Sequence, residues 1–122
     1  MRATLRVLTI LIGIGFTLQG IGWLVAPERA AAGLGMPVLD GLGRSTQFGD
    51  FAAFFLVLGG SIVAGVRKGQ ARLLNIPAVL LGCAAFGRTA AWLFHGADFA
   101  ALFIFVEVAA SALLFAAARQ VD

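Results

Sequence analysis

The chain consists of four long apolar stretches separated by short polar connections. A helix needs about 20 mostly apolar residues to cross the hydrocarbon core of a bilayer. Four stretches reach that length, at about 4–26, 46–66, 73–94 and 99–118. Short segments lack the alternation of apolar and polar residues that is typical of membrane strands. The pattern therefore predicts an all-α polytopic membrane protein: one domain over 1–122, built as a four-transmembrane-helix bundle.

The connection between the first and second spans is the longest, and it is rich in Pro and Gly. Pro27 suits the first turn of a helix, while Gly33 and Gly35 suit its end. We therefore expect a short interfacial helix in this first loop. Arg2 and Arg6 precede the apolar run of the first span, as basic residues do in a signal peptide. This apolar run is longer than a usual signal segment, so we expect a retained helix.

Composition supports a membrane setting. Hydrophobic residues make up 61% of the 122 residues and charged residues only 12%, whereas soluble domains carry about 25% charged residues. So few polar groups cannot cover a water-soluble globule. The net charge is +3, but no stripe of Lys and Arg with interleaved aromatic residues is present, so nucleic acid is not an expected partner. Cys83 is the one cysteine, and we interpret it as a small packing residue.

The basic residues predict an orientation. They precede the first span, follow the fourth, and cluster in the turn at 67–72 between the second and third. Lys and Arg in short loops favour the cytoplasmic side, so both termini are predicted to be cytoplasmic. Trp23 and Trp92 then fall near the outer ends of their helices, where indole rings suit the lipid headgroups.

Each span also carries a strongly polar residue, and all of these residues fall in the outer half of the membrane: Gln19, Asp50, Arg88 and Glu107. Asp50 is expected roughly four residues from the start of its span. A charge at the centre of a spanning helix costs about 2.5–3.5 kcal/mol. The arrangement of lowest cost has Asp50, Arg88 and Glu107 facing inward and sharing hydrogen bonds, since one guanidinium can engage two carboxylates.

The charges of this cluster do not cancel, because two carboxylates and one guanidinium sum to −1. The sum predicts either a neutral Glu107 or a bound cation or cationic ligand group. Ser111 lies one turn beyond Glu107 and is included in the cluster, while Gln47 and His95 are placed at its rim. Two interpretations stay open: a structural ion pair that fixes helix register, or a site for a ligand, ion or proton. We expect no metal site, since a single His without a nearby Cys is a poor ligand set.

Small residues recur at helical spacing. Cys83, Gly87 and Ala91 form such a series on the third span, and Ser61 and Gly65 form a pair on the second. Small residues let membrane helices approach closely. They indicate contacts within one bundle, contacts in a homo-oligomer, or a contact with a larger membrane complex.

The whole chain resembles a bacterial family of four-helix membrane proteins, a domain of unknown function that is loosely DoxX-like. The resemblance is carried by the steps Pro27-Glu28, Arg44…Phe48-Gly49 and Gly87-Arg88, and by Glu107. It implies a four-helix membrane fold in the bacterial cytoplasmic (inner) membrane. That family has no settled activity, so the resemblance implies no catalytic residue.

Three functions are considered. The first, which the small size and glycine-rich faces favour, is a non-catalytic subunit or scaffold that self-associates or joins a larger membrane complex. The second is an oligomeric carrier or channel-like protein that binds a proton, ion or small ligand at Asp50, Arg88 and Glu107. The third is an enzyme acting on a lipid or quinone, which is disfavoured because no nucleophile–base pair, metal set or cofactor loop is seen. We therefore predict no catalytic residue and no cofactor.

Overall fold

A computed structural model describes residues 1–120. The described chain forms five α-helices and one 3₁₀ turn, with no strand. The elements are α1 (Ala3–Val25), α2 (Pro27–Gly33), α3 (Gly41–Gly65), the 3₁₀ turn Ala71–Leu74, α4 (Asn75–Phe94) and α5 (Ala101–Ala118). The helices α1, α3, α5 and the continuous stretch Ala71–Phe94 are each long and apolar enough to cross a membrane. The predicted fold class, an all-α bundle of four membrane-spanning helices, is confirmed.

The second long helix starts earlier than the apolar pattern predicts. It begins at Gly41, five residues before the expected start at 46, because hydropathy detects only the apolar part of a helix. Arg44 and Asp40 stabilise the extra turn: Arg44 Nε donates to the Leu39 carbonyl at 2.8 Å, and its Nη2 lies 3.4 Å from Asp40 Oδ1. Asp50 therefore stands nine residues beyond the start of the helix and not four.

The expected short helix of the first loop is present as α2. Pro27 is its first residue, and Gly35, with φ of +78°, follows its end. The Gly35 and Met36 amides donate to the Ala32 and Ala31 carbonyls at 3.0 and 3.1 Å. These bonds satisfy carbonyls that the end of a helix leaves open. Ala31 is fully buried, so α2 packs against the bundle.

The helices pack as two antiparallel hairpins, α1 with α3 and α4 with α5. Glycine makes the first hairpin tight. A methyl group added at Gly59 would come within 2.5 Å of the Thr17 backbone nitrogen and 2.8 Å of the Gly13 carbonyl oxygen. In the second hairpin, Ser111 Oγ on α5 donates to the Ala78 carbonyl on α4 at 2.7 Å.

The two hairpins meet in a core that occupies the half of the bundle nearer the chain termini. Its largest fully buried aliphatic side chains are Leu58, Ile62, Leu74, Leu81 and Leu114. At the same end, Arg6 Nη1 on α1 donates to the Val66 carbonyl just after α3, at 2.6 Å. Towards the opposite end the hairpins separate, and the space between them is the cavity described below.

Two residues lie where the sequence pattern did not predict them. Trp23 is fully buried, with its ring stacked on Phe51 at a centroid distance of 4.9 Å. Its indole thus fills the α1–α3 hairpin instead of extending towards lipid headgroups, because α2 and the first loop cover that end of the bundle. Cys83 is exposed on α4 and does not pack inside the bundle. Trp92 stays exposed and lies against Phe99.

Candidate functional site

A large cavity lies between the two hairpins and has a volume of about 1070 Å³. All four long helices line it, together with the residues that follow α2. Its walls are mainly apolar, and six phenylalanines contribute to them: Phe16, Phe51, Phe54, Phe55, Phe103 and Phe105. The polar groups of the lining are Gln19, Asp50, Arg88 and Glu107. The cavity therefore contains the polar residue that each span was predicted to supply.

Arg88 and Glu107 form an ion pair in this cavity. Arg88 Nε on α4 donates to both Glu107 carboxylate oxygens on α5, at 2.9 and 3.1 Å. The guanidinium carbon also lies 4.5 Å from the centre of the Phe103 ring, a distance at which a cation is attracted to an aromatic face. Phe103 and Glu107 are four residues apart on α5, so both contact Arg88 from one face of that helix.

Asp50 lines the same cavity but does not join the pair. Its side chain is exposed, and within residues 1–120 it makes no hydrogen bond or ion pair. The predicted sharing of one guanidinium by two carboxylates is therefore not seen. The cavity instead holds one neutralised pair and one carboxylate with no countercharge in the described chain.

The remaining members of the predicted cluster hold helices together. Gln19 Nε2 donates to the Ala30 carbonyl at 3.3 Å, which joins α1 to α2 beside the cavity. Ser111 faces Ala78 across the α4–α5 contact and does not line the cavity. The structure thus brings Gln19, Asp50, Arg88 and Glu107 to one cavity and leaves Ser111 outside it.

The two predicted rim residues have different surroundings. Gln47 is 4% exposed, and its amide holds the first loop: Oε1 accepts from the Leu39 amide at 2.9 Å, and Nε2 donates to the Pro37 carbonyl at 3.0 Å. His95 follows α4, is exposed, and does not line the cavity. Gln47 lies instead beside a second, smaller cavity.

The second cavity has a volume of about 540 Å³ and lies beside the first loop. It extends from Leu39 to the edge of the main cavity. The two cavities share three lining residues, Met36, Asp50 and Phe51. Asp50 therefore stands at the boundary between the loop-side cavity and the larger space between the hairpins.

The main cavity is open at the side of the bundle, between α1 and α5. Leu102 and Phe105 of α5 line it and are 72% and 71% exposed. Gly15 on α1 also lines it and is exposed, and a methyl group added at Gly15 would have open space around it. This side surface is apolar, which is the surface that a spanning helix turns towards lipid. The opening therefore faces the hydrocarbon region if the helices span a bilayer.

The phenylalanine walls were not predicted from the sequence. Phe51, Phe54 and Phe55 follow Asp50 closely on α3, and Phe103 and Phe105 closely precede Glu107 on α5. The clustering of aromatic residues beside membrane-embedded charges is the signal that could have identified them. Within residues 1–120, no group of three or more His, Cys, Asp and Glu side chains is placed to hold a metal ion.

Comparison of the chain with protein-family models, curated proteins and solved structures finds no match in any of the three. The resemblance to DoxX-like membrane proteins therefore stays a prediction from short motifs. The function has to be argued from the geometry of the cavity.

Proposed function

We propose that this protein is a non-catalytic membrane protein that binds a lipophilic small molecule in the cavity between its two hairpins. This is the small-ligand form of the carrier function considered from the sequence. The observation that carries the proposal is the cavity itself, with its apolar walls, few polar groups and side opening.

The size and lining of the cavity support binding of a small molecule. Binding sites are typically concave spaces of about 300–1,000 Å³ with mostly apolar walls and a few polar groups that fix orientation. A volume of about 1070 Å³ lies just above that range. A purely structural ion pair between Arg88 and Glu107 would not require an open space beside it, since packed helices normally leave few voids larger than a water molecule.

Native mass spectrometry of the full chain released in a gentle detergent tests this proposal. We expect a bound lipophilic molecule on the wild-type protein. Gly15→Phe should remove it, because Gly15 lines the cavity and has open space beside it. Gly60→Phe is the matched control, since Gly60 also has open space beside it but does not line the cavity.

The two variants add the same side chain to a spanning helix, so molecules bound elsewhere on the surface should be equally abundant on both. Equal occupancy in wild type, Gly15→Phe and Gly60→Phe would contradict the proposal. So would a wild-type protein that carries no small molecule at all.

A scaffold or subunit function is the second candidate, and the exposed small residues of α4 favour it. Cys83 and Gly87 are both exposed, and no atom of another element lies within 4 Å of a methyl group placed at Gly87. The close helix contact that this series allows is therefore not made inside the bundle, which leaves it for a second copy or a larger complex. The same native spectra report the stoichiometry and any subunit that remains bound.

We propose the bacterial cytoplasmic membrane as the location, with both termini in the cytoplasm. The resemblance to bacterial membrane proteins and the positions of the basic residues support this. Arg2, Arg6, Lys68 and Arg72 all lie at the end of the bundle where α1 and α4 begin, and positive charge in short loops favours the cytoplasmic side.

A further inference from the structure

We propose that the ligand of the inter-hairpin cavity is a lipophilic organic cation, and that Asp50 is the group that recognises its charge. This inference rests on the proposed function, because it names the chemical class of the molecule that the cavity takes. It goes beyond that function because it specifies a positive charge, whereas most lipophilic molecules in a membrane are neutral or anionic.

The lining of the cavity carries a net negative charge. Asp50, Arg88 and Glu107 are its three charged side chains. Arg88 and Glu107 neutralise each other through the two hydrogen bonds at 2.9 and 3.1 Å. Asp50 remains, so the lining carries a formal charge of −1. One positive charge on a bound molecule would cancel it.

Leaving the Asp50 carboxylate unpaired is unfavourable. A charged side chain within the hydrocarbon region is costly. Asp50 belongs to the candidate span Gly41–Gly65 and has no partner among the described residues, so part of that cost applies to it. Binding of a cation beside the carboxylate would recover this energy, whereas binding of an anion would add repulsion.

The aromatic lining also suits a cation. Six phenylalanines line the cavity, and within residues 1–120 only one of them, Phe103, has a cationic side chain, that of Arg88, over its ring. Phe51 and Phe54 lie one residue and one turn beyond Asp50 on α3. Rings of this kind attract cations to their faces, and aromatic cages are the usual recognition sites for quaternary ammonium groups. A carboxylate beside aromatic walls therefore suits an organic cation with apolar substituents.

The position of Asp50 also accounts for access to the site. It borders both the main cavity and the smaller cavity under the first loop. A cation that arrives from the loop side meets the carboxylate first, and one that enters the main cavity from the side opening finds it in the lining. Asp50 is therefore a binding residue on either route.

The test is equilibrium dialysis of radiolabelled tetraphenylphosphonium against the full chain in a non-ionic detergent, with protein-free micelles as the blank. We expect saturable binding to the wild-type protein and at least tenfold weaker binding to Asp50→Asn. Asp98→Asn is the matched control, because it removes an equal charge from an exposed residue outside both cavities. Circular dichroism of each variant checks that the bundle is folded.

Tetraphenylborate provides the second comparison, since it has the same shape as tetraphenylphosphonium and the opposite charge. We expect no saturable binding of the borate. Equal binding of the phosphonium to wild type and Asp50→Asn would overturn the inference, and so would tighter binding of the borate than of the phosphonium.

The outcomes separate the ligand class from the proposed function. The borate could bind saturably, with Gly15→Phe abolishing the binding and Gly60→Phe preserving it. In that case the cavity is still a binding site, but the proposal that its ligand is a cation is rejected. If neither probe binds, the proposal that the ligand is a cation is also rejected. The proposed function is tested independently, by whether the native mass spectra show a bound molecule.

Discussion

Arg88 and Glu107 each carry a charge inside a largely apolar bundle, and each depends on the other. The side chain of Glu107 is only 12% exposed and that of Arg88 31%. Removal of one partner of a buried ion pair leaves the other charge unpaired, which costs about 3–5 kcal/mol. The partial exposure of Arg88 reduces this cost, because solvent screens the remaining charge.

We therefore expect Glu107→Leu and Arg88→Met each to lower the free energy of unfolding by about 2–3 kcal/mol. The double variant Arg88→Met with Glu107→Leu should lie closer to wild type than either single variant, because it leaves no unpaired charge. A denaturant titration in detergent, monitored by circular dichroism, measures the free energy of unfolding of the three variants. A double variant whose loss equals the sum of the single losses would show that the two side chains are not coupled.

Residue depth predicted the Arg88–Glu107 pair but not the isolation of Asp50. Depth along a span follows from counting residues, and both members of the pair lie well inside their helices. The direction in which a side chain points depends on how each helix is rotated against its neighbours, which hydropathy does not determine. The start of α3 also differs from the prediction, since the polar turn Gly41–Thr46 belongs to the helix although it is not apolar.

At the scale of elements, the bundle is tighter within hairpins than between them. Gly13, Gly20 and Gly59 allow the backbones of α1 and α3 to approach closely, since an added methyl group at any of them would come within 3 Å of an atom of the facing helix. One comparable contact joins the two hairpins, since a methyl group added at Gly65 would come within 3 Å of the Leu74 side chain, at the end of the bundle away from the cavity. The cavity is the consequence of this difference in packing.

The adjacent residues Gly59 and Gly60 provide a direct test of that contact. Gly59→Ala should destabilise the protein by about 1–3 kcal/mol, because the new methyl group meets the backbone of α1, which cannot move aside cheaply. Gly60→Ala should be neutral or stabilising by up to about 1 kcal/mol, since Gly60 has open space and alanine favours helix. Thermal unfolding of the two purified variants compares them, and equal midpoints would contradict the packing described.

The sequence could predict the four spans and the short helix α2, because both depend on local pattern. The spans follow from the length of each apolar run, and α2 follows from Pro27 at its first turn and from glycine at its end. It could not predict which glycines make contacts. Gly59 and Gly60 are neighbours with identical local signals, and only the facing residues of α1 distinguish them. The burial of Trp23 likewise depends on α2 and the first loop covering that end of the bundle.

On the scale of the whole molecule, the charges are distributed unevenly between the two ends. The end formed by the start of α1 and the turn between α3 and α4 carries most of the basic residues, including the single lysine, Lys68. The opposite end carries Glu28, Asp40 and Asp98 with two arginines. This asymmetry is the basis of the proposed orientation.

The orientation predicts which amines a membrane-impermeant reagent can reach. Lys68 is exposed, and the amino terminus lies at the same end. A sulfonated amine-reactive ester should therefore label the wild-type protein only after the membrane is opened. Asp98→Lys places an amine in the exposed connection at the opposite end and should be labelled in intact cells. Labelling of the wild-type protein in intact cells would contradict the proposed orientation and indicate the opposite one.

The side opening between α1 and α5 has a consequence for how affinity would be measured. A solute that reaches the cavity through lipid is first enriched there by its own partitioning, before the protein contributes anything. Each buried methylene favours transfer from water by about 0.8 kcal/mol, so two extra methylenes enrich it more than tenfold. The apparent aqueous dissociation constant would then fall with solute chain length while the contacts in the cavity stay unchanged. Selectivity within one charge class would thus be set largely by the bilayer.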